Sequence, residues 1–249
     1  DGGVGLEGRA HKRGRLGCHI GLFWGGASWF GGWDGMIFAG EGAKCELTDK
    51  DVGGGQAVGR EIGKEASARA HDVTSEDDWN RVVEETVAMH GKLDILMNNA
   101  GAPAKPAPFE DLSLENFDAT MAVHVRGALA HSQHAARHMR AQKSGSIINV
   151  GSIAGHRAGH TASLLYAVAK AAVIHMTKCA AMELGEDGVR VNCISPGVIA
   201  TGIFAKAMGM DTDNAGTPVE KGKPNTARTQ ALPHARETDD TANQARAPA

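Results

Sequence analysis

The sequence predicts an α/β domain built on a doubly wound parallel sheet with helices on both faces. Two observations carry this. Short apolar runs alternate with segments of helical periodicity, and each intervening segment is long enough for a right-handed crossover between parallel strands. The runs also stop on Gly, Asp, Asn, Ser or Pro, at the carboxyl ends where such sheets hold their ligands. A chain of 249 residues suits one domain of this kind.

"IGLF" (20–23) is the first apolar run, and it precedes the glycine-rich "WGGASWFGG" from Trp24 to Gly32. Met36 to Ala39 then closes a helix, and "EGAKCELTD" is a turn plus a strand ending at Asp49. "GQAVGREIGKEA" is a helix weakened by its glycines, and "ARAHDV" is a strand that leads into Asp72. "TSEDDWNRVVEETVAMHG" carries the clearest helix signal. Thr74 or Ser75 caps it, acids fill its first turn, and Trp79, Val82, Val83 and Val87 share one face.

"LDILMNNAG" is a buried strand ending in a turn. A long helix is expected from about Leu114 to Arg140, with Phe117, Met121, Val125, Ala128, Ser132 and Ala135 on one side. "SIINVGS" is a strand, Tyr166 to Leu184 a helix, and "VRVNCISPG" a strand stopped by Pro196. Residues 1–18 are expected to be loose. Residues 211–249, rich in Thr, Asp, Pro, Ala and Arg, bury too little apolar surface to order, which leaves a domain over 19–210.

Composition narrows the function. A net charge of −3 gives no basic field for nucleic acid or an anionic membrane. Cys18, Cys45, Cys179 and Cys193 are widely spaced without a C-x-x-C pair, which fits free thiols in a reducing cytoplasm. No signal-peptide apolar region is read at the start, and the apolar runs are read as too short for a membrane span.

The strand ends supply "NNAG" (98–101), Ser152 in "NVGSIAG", "YAVAK" with Tyr166 and Lys170, and "RVNCISPGVIAT" (190–201). In this order and spacing, from about Gly40 to Phe204, they resemble the short-chain dehydrogenase/reductase family, whose fold is a Rossmann-type sheet. The resemblance implies an NAD(P)-dependent oxidoreductase that interconverts a secondary alcohol and a ketone. Tyr166 would be the general acid/base, Ser152 would bind the substrate oxygen, and Lys170 would hold the nicotinamide ribose. One helical turn separates Tyr166 from Lys170, so an ammonium beside the phenol is expected to pull its pKa down from about 10.

The resemblance also assigns cofactor contacts. Gly25, Ser28 and Gly31 fall on the phosphate loop, Asp49 on the adenosine ribose, and Asp72 and Val73 on the adenine. Asn99 falls in the turn that supports the sheet and the cofactor wall, the backbone around Ile199 and Thr201 near the carboxamide, and Ala100, Gly101, Pro196 and Gly197 among the other cofactor contacts. An acid at Asp49 repels a 2′-phosphate, so NAD is expected over NADP, with Lys50 as a neighbouring positive charge. The middle region looks like family members that handle cyclic or terpenoid alcohols and hydroxysteroids. A homodimer through the two long helices is implied, with a tetramer less secure.

Three features depart from the family pattern: the phosphate loop, one position of the long helix and the carboxyl end. Trp24 and Trp29 replace the threonine and middle glycine of the phosphate loop, where backbone must approach a pyrophosphate. His124 stands where the family has an asparagine tied to proton relay, so it is a further catalytic candidate. No periodicity of a last helix and strand follows Met210, so the last strand is expected to be missing. The alternative is a catalytically silent protein of the same fold that has lost cofactor binding. His124, His131, His134 and His138 recur along one helix, and a structural role is expected for them rather than metal binding.

Overall fold

The computed structural model describes residues 17–21, 30–161 and 163–197. Its strands are β1 (Gly17–Gly21), β2 (Lys44–Asp49), β3 (Ala66–Ala70), β4 (Ile95–Asn98), β5 (Gly145–Val150) and β6 (Val189–Ile194). The helices are α1 (Phe30–Gly40), α2 (Val52–Ile62), α3 (Glu76–His90), α4 (Leu114–Met121), α5 (Gly127–Gln142) and α6 (Leu164–Leu184). All strand pairs are parallel, in the order β3-β2-β1-β4-β5-β6. The order reverses between β1 and β4, the point at which sheets of this kind bind ligands beyond the strand ends. The expected last strand concerns residues outside those described.

Alternation along the central strands builds a core on each face. Leu96 and Ile147, paired in register, enter one cluster with Val83, Ala135, Met139 and Val191. Their neighbours Met97 and Ile148 enter the other, with Phe38, Leu47 and Val58. Burial on both faces is what a doubly wound sheet requires.

Three expectations change, and one holds. β1 begins at Gly17, inside the stretch read as loose, and ends at Gly21. α1 runs over Phe30–Gly40, which agrees with a helix closed by Met36 to Ala39 and takes in glycines at its start. Packing overrides propensity there, because Phe38 is buried against β2. The long helix is two helices joined by a π-helical turn over Ala122–Arg126. Finally, Leu164–Asp187 is long and apolar enough, by length and composition, to cross a membrane. Here it covers the sheet, with Leu165, Val173, Ile174 and Leu184 buried.

α3 follows its capping signals. Ser75 Oγ accepts from the Asp78 N–H, and Gly91 closes the helix at φ 77° with its N–H on Val87 O.

One α1 residue opposes the fold. Asp34 is fully buried, and neither carboxyl oxygen has a hydrogen-bond partner among the described residues. Burial raises its pKa well above 3.8. A raised folded-state pKa favours the native state below the unfolded value, and that contribution is lost as pH rises through the folded value. Asp34→Ala also improves helix propensity. It is therefore expected to stabilise the protein by about 1–3 kcal/mol at pH 7, and by less at pH 4. Each kcal/mol should raise Tm by about 2–4 °C. Melting curves at both pH values check this, and an unchanged or lower Tm at pH 7 counts against it.

Candidate active site

Ser152, Tyr166, Lys170 and His124 converge beyond the end of β5. Ser152 has extended backbone and caps a 3₁₀ turn over Ile153–Gly155, its Oγ accepting from the Ala154 N–H at 3.2 Å. A Cβ on Gly155 would lie 2.7 Å from the Lys170 carbonyl carbon, so glycine lets this turn press onto α6. Ser163 caps α6 and accepts from the Tyr166 N–H at 3.4 Å. The ends of β5 and β6 are tied by Gly151 N–H to Ile194 O at 2.7 Å and by Ile153 N–H to Pro196 O at 2.9 Å. His156 Nε2 and Ser195 Oγ join them at 3.0 Å.

The electrostatics correct one expectation. Burial pushes the Tyr166 phenol above its usual value, and the hydrogen bond with Ser152 opposes that rise without cancelling it. Lys170 shares a helix face with Tyr166, but its Nζ donates to Val150 O at 2.6 Å and lies 5.7 Å from the ring centroid. The Lys170 ammonium is itself buried, which lowers its pKa to about 8.

His124 sits in the π-helical turn with its ring edge-to-face on Tyr166, centroids 5.4 Å apart. Its Nε2 lies 2.8 Å from Ala102 O and 3.3 Å from the Ala102 backbone nitrogen, while Nδ1 has no hydrogen-bond partner among the described residues. Burial, aided by the Lys170 charge, lowers its pKa to about 3, so it is a neutral imidazole at physiological pH. Its ring therefore packs against Tyr166 without carrying charge at neutral pH. A Cβ on Gly101 would meet His124 Cε1 at 3.2 Å, which explains the glycine closing "NNAG".

The other predicted positions divide into two groups. Asp49 is buried at the end of β2, with Oδ1 accepting from the Asp51 N–H at 2.8 Å. Asp72 Oδ1 accepts from Thr74, and its Oδ2 pairs with Lys50 at 2.8 Å, so the Lys50 charge next to Asp49 is engaged by Asp72. Val73 is buried and lines a small cavity of about 10 Å³ with Asn99, Ala100, Gly127 and His131. Gly31 lies in the first turn of α1, and Pro196 and Gly197 follow β6. Gly25, Ser28, Ile199 and Thr201, with Trp24 and Trp29, lie outside the described residues.

The sheet-supporting bonds fall on a residue the sequence reading missed. Asn98, not Asn99, donates to Asn149 Oδ1 at 2.8 Å and to Ser132 Oγ at 3.0 Å, and Asn149 donates to Thr177 Oγ1 at 2.9 Å. A polar residue ending an otherwise apolar strand was the available signal. The helix histidines each meet a different partner: His131 meets His71, His134 meets Arg137, and His138 meets Glu84.

The chain is similar to known proteins over most of its length. Residues 36–231 match a family model described as enoyl-(acyl carrier protein) reductase. The chain is 41% identical over 194 residues to short-chain dehydrogenase reductase 3a of Arabidopsis thaliana, covering 77% of this chain and 75% of that protein. It is 40% identical over 192 residues to (+)-borneol dehydrogenase 2 of Salvia officinalis, covering 76% and 68%. Among solved structures, a 3-ketoacyl-(acyl-carrier-protein) reductase from Brucella melitensis complexed with NADH superposes with a TM-score of 0.81. It is 29% identical, over 94% of this chain and 89% of that one.

Proposed function

Because this chain belongs to the short-chain dehydrogenase/reductase family, we propose that it interconverts a secondary, ring-held alcohol and its ketone with NAD. The observation that carries this is the Ser152 hydroxyl, Tyr166 phenol and Lys170 ammonium gathered at the end of β5. The described residues fit a nicotinamide dinucleotide at both riboses. The Asp49 carboxylate would accept from the adenosine ribose, and Tyr166 with Lys170 would hold the nicotinamide ribose. When bound, that cofactor takes or returns the hydride.

In oxidation, Tyr166 Oη accepts the substrate hydroxyl proton as the C–H bond gives up its hydride. In reduction, it returns the proton to the developing alkoxide. The Ser152 hydroxyl donates to the same substrate oxygen. Lys170, held by Val150 O, stands as a fixed positive charge behind the phenol below about pH 8. The borneol dehydrogenase relative and the loop 153–163 before α6 support a bulky cyclic substrate.

We also propose a homodimer through α5 and α6. Leu129 and Met182 are exposed there, and Leu129 lines a 350 Å³ groove between the two helices whose Arg140 and Glu183 already pair with each other, which leaves apolar surface for a second copy. A monomeric sedimentation mass would remove this assignment.

NADH titration by fluorescence and turnover of cyclic secondary alcohols test the central reading. Asp49→Ser is expected to lower the NAD-over-NADP preference by about 10²-fold, since juxtaposed like charges cost several kcal/mol. A protein that binds neither dinucleotide is the silent form of this fold. Recovery of binding in Trp29→Gly would then assign the defect to the phosphate loop.

A further inference from the structure

We propose that the buried pair His71–His131 positions the adenine end of the cofactor site, with His131 acting through His71 on the turn Asp72–Thr74. This rests on the reading above that Asp49 meets the adenosine ribose and that Asp72 and Val73 meet the adenine.

The two rings lie wholly inside the protein, 2% and 4% exposed. Their Nε2 atoms are 2.8 Å apart, and the rings are edge-to-face with centroids at 4.6 Å. Two imidazole nitrogens this close need one N–H donor and one acceptor, so each ring fixes the tautomer and orientation of the other. His71 is held on two further sides. Its backbone N–H donates to Asp49 O at 3.0 Å, and its ring Nδ1 shares a hydrogen bond with Thr48 Oγ1 at 2.9 Å. One residue therefore ties together the ends of β2 and β3, between the two acids assigned to the adenosine half.

The turn that follows His71 rests on α3 and α5. Trp79 Nε1–H donates to Val73 O at 2.7 Å, and Arg126 donates to Thr74 O at 3.2 Å. A Cβ on Gly127 would lie 2.9 Å from Val73 O, so glycine brings α5 directly under the turn. One helical turn further along α5, His131 meets His71. An apolar residue at 131 could fill the volume, but it would not orient the His71 ring. His131 is thus a positioning residue whose influence should be confined to the adenosine half.

The test compares binding of NADH and of ADP-ribose, which lacks the nicotinamide, to the full chain and its variants. His131→Leu is expected to weaken both by the same factor, about tenfold, the cost of one buried hydrogen bond. His131→Gln, whose amide can donate or accept toward His71, should stay within about threefold of the parent. With a cyclic secondary alcohol as substrate, KM for NAD should rise with Kd in His131→Leu while kcat stays within about twofold. Thr48→Val approaches the same ring from the other side at constant volume, and should weaken both ligands if His131→Leu does not fold.

Unchanged affinities in His131→Leu and Thr48→Val would overturn the proposal. So would a loss for NADH that ADP-ribose does not share, or a fall in kcat at constant Kd. A parent chain that binds neither ligand removes the cofactor reading itself, which distinguishes that failure from the failure of the pair.

Discussion

Tyr166→Phe is expected to lower kcat by about 10³–10⁴-fold while leaving the Kd for NADH within about twofold. The substitution removes one oxygen from the reacting end and keeps the ring that His124 meets edge-to-face. The Ser152 cap and the Lys170–Val150 hydrogen bond do not depend on the phenol oxygen, so the pocket should hold its shape. The pH dependence has a definite sign. Burial raises the phenol pKa, so Tyr166 is protonated through neutral pH and ready to act as an acid. Ketone reduction should therefore be nearly flat from pH 6 to 8 at saturating cofactor. Alcohol oxidation needs the phenolate and should rise with pH over the same range. Rate profiles in both directions read this out. Turnover retained in Tyr166→Phe, or oxidation falling as pH rises, would remove Tyr166 from its role.

Much of this arrangement was legible because its signals are local. Ser75, three acids and Gly91 bound α3 within a short stretch, and apolar runs ending in Asn, Ser or Pro mark β4, β5 and β6. Tyr166 and Lys170 are one helical turn apart, so their shared face could be read. Where the Lys170 ammonium points could not, because Val150 O comes from a strand 20 residues away in sequence. Distance along the chain also hid the polar core. His71 and His131 are 60 residues apart, and each looked ordinary in its own segment. The break in the long helix at Ala122–Arg126 was invisible for another reason, since a π turn leaves the apolar periodicity on either side intact.

The largest effect on stability should come from Glu46, a residue no motif marks. It lies in the middle of β2 and is 1% exposed, a place where an unpaired carboxylate would be very costly. Three partners from distant segments satisfy it. Arg69 Nε donates to Oε2 at 2.7 Å, Ser67 Oγ donates to Oε1, and His90 Nε2 lies 3.2 Å from the same oxygen. Arg69 continues to Glu85 at 2.8 Å, so one network ties β2, β3 and α3. Glu46→Leu leaves the guanidinium facing an apolar wall, and breaking a buried pair from one side costs about 3–5 kcal/mol. Arg69 keeps Glu85 and is 24% exposed, which places the expected loss near the lower end, about 3 kcal/mol. Replacing both partners, Glu46→Leu with Arg69→Met, removes the stranded charge along with the pair. It should recover most of that loss, because an apolar replacement of a buried ion pair is close to neutral. Thermal or urea unfolding of the two single variants and the double variant decides the matter as a cycle. Additive losses would mean that Glu46 and Arg69 are not coupled. A double variant more stable than Glu46→Leu alone is the signature of a charge whose cost lies in being left without its partner.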